Sequence, residues 1–209
     1  MNERPALGLI VVAGFVGTIP DILPPVFGYA AESFLTIERS TVSTDDGDDN
    51  ELTAELDIEG LLIPTNGTEG AFGYGIITDH GDDTILVTHT HSGLLDSEAQ
   101  KFIEDPIWHN HFVKFGDVEQ CGKDQGIVDI TWQSPGEVGI DDNIARISDV
   151  PTGGFEGWHS MTGESLSIPL GEAVSDVISF KLHPIFGQEG LEAICVTDIR
   201  SAEEVVSLD

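Results

Sequence analysis

Residues 85–115 read ILVTHTHSGLLDSEAQKFIEDPIWHNHFVKF. Two apolar runs frame this stretch, and each carries a His-x-His pair, His89/His91 in the first and His109/His111 in the second. Side chains alternate across a strand with period two. A strand over 84–91 therefore puts Ile85, Val87, His89 and His91 on one face, and Leu86, Thr88 and Thr90 on the other. A strand over 107–115 does the same for Ile107, His109, His111, Val113 and Phe115. Both pairs thus continue an apolar face, which points them toward a protein interior.

The rest of the chain repeats this style. Candidate strands of six to ten residues recur at 33–39, 52–58, 71–78, 126–132, 143–148, 165–170, 174–183 and 191–198, separated by Gly, Pro, Asn and Asp. In 52–58, Leu52, Ala54, Leu56 and Ile58 share a face opposite polar residues. Such spacing predicts an all-β fold, an antiparallel β-sandwich or a barrel-like one. One short helix is expected at 97–104, with Asp96 as N-cap and Glu98 in its first turn. The tail from Ser201 is expected to add a further turn or to fray. With neither an internal repeat nor a clear linker, residues 32–209 read as a single β-rich globular domain.

Residues 1–31 are expected to form a signal peptide or an N-terminal membrane anchor. Arg4 precedes the apolar run Ala6 to Ile19, which at about 1.5 Å per residue reaches roughly 21 Å, short of a ~30 Å hydrocarbon core. Pro20, Asp21, Pro24 and Pro25 then break it, and Gly28-Tyr29-Ala30 offers a small-x-small cleavage site. An extracellular or cell-surface protein follows, with membrane contact only through that segment if it is retained. Cys121 and Cys195 are the only cysteines, and an even count in an exported chain reads as a disulfide. Asn66-Gly67-Thr68 is a glycosylation sequon.

Composition removes several classes of partner. Eight Lys and Arg against 38 Asp and Glu give a formal net charge of -30. Such a chain cannot neutralise phosphates, so no nucleic-acid partner is expected, and an anionic lipid surface would repel it. Crowded carboxylates also repel one another unless salt screens them, to roughly 3 Å at molar ionic strength. Salt adaptation is the reading of that charge. It also accounts for the acidic loops at 44–51 and 79–83, which lack the ligand order of a calcium loop, so calcium ranks behind a transition metal.

The candidate metal ligands are His89, His91, His109 and His111, with Asp96 and Glu98 on the connecting segment as further ligands or as partners for an imidazole N–H. Imidazole ligation suits zinc, copper, iron or nickel, with zinc or copper favoured; three histidines with an open position would be catalytic in style, four closed ligands structural. The spacing departs from known His-x-His enzymes: Glu98 lies seven residues after His91, not the three or four of cupins. The His-x-His-x-Asp-His run of metallo-β-lactamase-like enzymes is absent. Three readings follow: a structural or metal-handling site, a metal-dependent hydrolase or oxidoreductase, and a non-enzymatic cell-surface or envelope interaction module. In the last, the histidines are core residues bonded to Thr88, Thr90 or Asn110, and Trp108, Trp132 or Trp158 form a contact patch. The sequence names no catalytic residue, substrate or protein partner.

Overall fold

A computed structural model describes residues 33–45, 51–62, 71–79, 84–91, 93–171, 173–188 and 190–208. The apolar N-terminal run, the sequon, His80 and most of both acidic loops lie outside these residues. The elements are strands joined by turns: β1 (Ile37–Asp45), β2 (Glu51–Ile58), β3 (Ala71–Thr78), β4 (Thr84–Thr90), β5 (Trp108–Asp117), β6 (Gln125–Ile130), β7 (Glu137–Asp141), β8 (Ile144–Pro151), β9 (Phe155–Trp158), β10 (Ser165–Ile168), β11 (Val174–Phe186), β12 (Leu191–Ser201) and β13 (Val205–Leu208). Short 3-10 turns at Ser33–Leu35 and Glu119–Cys121 are the helical elements among the described residues.

Six strands close into an antiparallel barrel in the order β11-β12-β6-β5-β4-β3. A five-stranded sheet, β13-β1-β2-β8-β7, packs on its flank, and β9 and β10 form a separate hairpin. The all-β expectation holds, and of the two architectures proposed the barrel is the one built.

Strand parity separates two apolar layers. On β3, Phe72, Tyr74 and Ile76 face the five-stranded sheet, where they bury with Ile37, Leu56, Ile58 and Ile147. Inside the barrel, Val113, Phe115, Ile130 and Phe180 form a second cluster. In the first layer, the Tyr74 ring lies nearly parallel to Trp108, with centroids 6.0 Å apart. The Tyr74 hydroxyl donates to the Phe34 carbonyl at 2.6 Å. These contacts fix the start of β5, the strand that carries two of the histidines.

Two expectations need correction. Residues 97–104 do not form a helix; they run through turns at 98–99 and 103–104. The Lys101 N–H, which a helix would bond to the Ser97 carbonyl, donates instead to Asp105 Oδ2 at 3.2 Å, and the first-turn Glu98 N–H donates to the Trp132 carbonyl at 3.0 Å. The Asp96 carboxylate, expected to cap that helix, points into the barrel instead. The tail is likewise not a helical turn: β13 pairs in parallel with β1, Val206 opposite Thr41. The edge of β1 offers unpaired backbone groups, and the β-branched pair Val205-Val206 suits a strand.

Cys121 and Cys195 are joined in a disulfide that ties the turn before β6 to β12. Disulfides of this kind persist in oxidising, extracytoplasmic compartments.

Candidate metal centre

The antiparallel register of β4 and β5 sets His89 directly opposite His109, and Val87 opposite His111. His91 follows the last residue of β4. All four imidazoles point into the barrel, as the alternation of the two runs requires. Rings of His89 and His109 have centroids 4.5 Å apart, and those of His89 and His111 4.9 Å. Each of the four histidines is buried, none more than 6% exposed.

The residue that completes the group is Asp96, itself 3% exposed, which the loop after β4 swings back over the barrel mouth. Its Oδ2 lies 3.1 Å from His91 Nε2, and its Oδ1 3.2 Å from His109 Nε2. His111 Nε2 and His89 Nε2 stand at 3.7 and 3.8 Å from Oδ2, electrostatic contacts rather than hydrogen bonds. Ligating atoms of His89, His91, Asp96 and His109 all lie within 4.8 Å of one another. Glu98 is exposed and outside this group.

Gln100 holds the loop that delivers Asp96. Its Oε1 accepts the Asp96 N–H at 3.0 Å, while its Nε2 donates to the carbonyls of Leu94 and Asp105 at 3.1 and 3.3 Å. Ser160 Oγ donates to the Asp96 carbonyl at 2.5 Å. On the neighbouring strand, Gly73 pairs with His89, and a Cβ there would meet His89 Cβ at 2.8 Å. Gln100 and Gly73 are parts of the site that the sequence did not point to. Only the alternation of Gly73 and Gly75 with bulky Phe72 and Tyr74 hints that one face of β3 must stay small.

Backbone carbonyls fix the tautomers of two rings. His109 Nδ1–H donates to the Ile107 carbonyl at 2.9 Å, and His111 Nδ1–H to the Thr131 carbonyl at 2.6 Å. A carbonyl can only accept, so the proton of each neutral ring sits on Nδ1 and the lone pair on Nε2. Both lone pairs then face inward, toward Asp96. His89 Nε2 and His109 Nε2 are 2.9 Å apart. Buried within the cluster, His111 Nε2 and His89 Nδ1 have no hydrogen-bond partner among the described residues.

Burial disfavours the charged form of His89 and holds it neutral well below its ordinary range; the positive charge that His109, His111 and His91 would carry acts in the same direction. Burial also lowers His109, against the opposing pull of Asp96. For Asp96 burial alone would raise the carboxyl, but positive charge on His111, and the hydrogen bonds that protonated His109, His111 and His91 would donate, pull it well below the usual range.

Thr88, Thr90 and Asn110, expected as partners for core histidines, instead face the other side of their strands. Thr88 Oγ1 donates to Asn110 Oδ1, Asn110 Nδ2 to the Pro135 carbonyl at 2.9 Å, and Thr90 Oγ1 to the Pro106 carbonyl at 2.8 Å. His159 and His183 also lie apart from the cluster. His159 Nδ1 accepts the Met161 N–H at 3.1 Å in a surface turn, and His183 is exposed on β11. Of the three tryptophans only Trp158 is exposed, at 54%.

A cavity of about 150 Å³ opens beside the cluster at one end of the barrel. His89, His91 and Asp96 line it, together with apolar residues that include Leu182, Ile194 and Ile127. The arrangement is a buried three-histidine, one-carboxylate donor set with one edge facing a cavity, and it could hold a transition-metal ion. Comparison with protein-family models, with curated proteins and with solved structures gives no match for this chain.

Proposed function

We propose that this protein is an exported, acidic β-barrel protein whose barrel core binds one transition-metal ion through His89, His91, His109 and Asp96. His111 stands beside the ion as a fifth donor or as a positioning base. The carrying observation is the contact of His109 Nε2 with Asp96 Oδ1 at 3.2 Å, when Nδ1 of the same ring already donates to a carbonyl. A neutral His109 therefore turns a lone pair on a carboxylate oxygen. Two acceptors at that distance repel unless a cation lies between them: a proton, which burial makes costly on His109, or a metal.

The separations agree with a shared ion. Zinc–nitrogen bonds of about 2.0–2.1 Å place neighbouring donors roughly 2.9 Å apart at a right angle and roughly 3.4 Å apart in a tetrahedron. The short distances here are 2.9, 3.1 and 3.2 Å. Carbonyls behind His109 and His111 supply the outer bond that usually orients a ligating imidazole. The nitrogen and oxygen donors suit zinc or copper, and no thiolate takes part because both cysteines are in the disulfide.

The cavity supports a second reading of the same centre, as a metal-dependent hydrolase or oxidoreductase. Structural metal sites are closed, whereas catalytic ones keep a position open to substrate. Here the edge formed by His89, His91 and Asp96 is the one that faces the cavity.

Elemental analysis of untagged protein tests the metal. One ion per chain is expected, lost together in a variant with His89→Ala and His109→Ala, and chelation should lower the melting temperature of the natural protein only. Equal, sub-stoichiometric metal in both proteins would reject a metal centre and leave the histidines as packing residues, as the interaction-module reading has it. Export is supported by the disulfide, and salt adaptation by the charge of -30. A melting temperature that rises steeply between dilute buffer and molar salt would bear out the second.

A further inference from the structure

The cavity at the barrel mouth contrasts with the acidic character of the chain. The protein is covered in carboxylates, yet Ala71, Ile127, Leu182, Pro184, Phe186 and Ile194 make the walls of this opening apolar. They come from β3, β6, β11 and β12 of the closed barrel, and Gly93 and Leu94 of the loop after β4 complete the lining. Its polar side chains are those of His89, His91 and Asp96. A hollow with apolar sides and a few convergent polar groups at its base is the usual form of a small-molecule site.

We infer that this cavity binds a small uncharged molecule, apolar over most of its surface, with one hydroxyl oxygen directed at the His89–His91–Asp96 edge. The inference rests on the metal reading, since the hydroxyl oxygen takes the metal's cavity-facing position. Size limits the ligand: an apolar cavity of about 150 Å³ holds a molecule as large as benzene. Charge limits it further. Among the described lining residues none is Lys or Arg, so beyond the metal itself an anion would find no cation to pair with while leaving water, and the Asp96 carboxylate stands beside that position. The overall charge of -30 repels anions on approach as well. A ligand cation would lose hydration against apolar walls and compete with the metal for Asp96. A phenol or a cyclic alcohol meets all of these conditions.

The test uses the full protein loaded with cobalt(II), whose visible spectrum reports its ligands, and phenol as probe with benzene and benzoate beside it. Two variants fill the cavity from different strands, Ala71→Phe from β3 and Leu182→Phe from β11. Neither residue is a proposed metal ligand. The expected result is one cobalt per chain, saturable phenol binding that shifts the cobalt spectrum, and at least tenfold weaker benzene and benzoate. Either filled variant should keep its cobalt and bind phenol at least tenfold more weakly.

Normal cobalt loading with no phenol binding, or with phenol binding unchanged in both filled variants, would overturn the ligand inference and leave the metal centre standing. Benzoate binding more tightly than phenol would overturn the uncharged class. Failure to load cobalt, zinc or copper would overturn the metal reading, and this inference with it.

Discussion

Gly73→Ala is a perturbation whose size can be worked from the barrel itself. Gly73 is opposite His89 in the β3–β4 register, and an added Cβ would stand 2.8 Å from His89 Cβ, 2.8 Å from the Thr88 carbonyl oxygen and 3.2 Å from the Phe180 ring. Ordinary contact begins near 3.4 Å, so His89 or its strand must move by 0.6 Å or more. Two of the three neighbours are backbone or backbone-linked atoms, which cannot swing aside as a flexible side-chain tip can. Overpacking of this kind costs about 1–3 kcal/mol. In a domain of this size that is a fall of roughly 2–12 °C in melting temperature.

The same shift exceeds the ~0.5 Å within which a functional group must be held. Metal affinity should therefore fall by about 10–100-fold, the loss usual when a ligand's support is removed. The control is Gly139→Ala on β7, where an added Cβ meets nothing within 4 Å; its stability should stay within ~0.5 kcal/mol. Differential scanning calorimetry with and without zinc, together with competition against a chelator of known affinity, reads both effects. Unchanged zinc affinity in Gly73→Ala would refute the assignment of His89 as a ligand, even if the variant were destabilised.

Three further outcomes follow from the same structure. Replacing both Cys121 and Cys195 by serine opens a cross-link with a sequence separation of 74; in the chain-entropy model this costs about 4.5 kcal/mol, or roughly 9–18 °C, by calorimetry against the natural protein. Gln100→Ala leaves the Asp96 N–H and the Leu94 carbonyl without their partner; a loss of about 1–3 kcal/mol and weakened metal binding are expected, whereas unchanged metal affinity would show that Asp96 is held without it. For metal-free protein at constant high salt, denaturant titrations should show stability falling as pH drops below about 6.5. Folding holds His89 and His109 below that value, so the unfolded chain binds the extra protons first, at up to about 1.4 kcal/mol per pH unit for each ring. Asp96, also lowered, adds its loss only at pH below its ordinary 3.8. Flat stability from pH 7.5 to 5.5 would contradict the burial of neutral imidazoles.

Much of the barrel could be read from period-two alternation. β3 spans the residues expected, and β4, β5 and β11 begin at or within a residue of theirs. What alternation cannot supply is partner choice. Nothing in 84–91 or 107–115 says that His89 faces His109 rather than His111, because that register depends on how the long connection returns the chain. Short strands with few apolar residues were missed for a related reason. In β7, EVGID, and β9, FEGW, the signal is carried by two side chains each, and pairing with β8 and β10 decides the conformation.

Asp96 and Glu98 show where local propensity gave way to tertiary demand. An Asp followed by Ser-Glu-Ala-Gln has the chemistry of a helix start, and on sequence alone both acids could serve the site. The structure turns the Asp96 carboxylate inward among the histidines and Glu98 outward, and Gln100 holds Asp96 there by accepting its backbone N–H. Four imidazoles and a carboxylate in a barrel core displace apolar groups that would pack there more favourably, and a buried polar group left without a partner is costly. Packing therefore does not explain the cluster. The flanking sheet and the disulfide provide stability that can offset it, and a shared cation would turn its inward lone pairs from mutually repulsive groups into ligands.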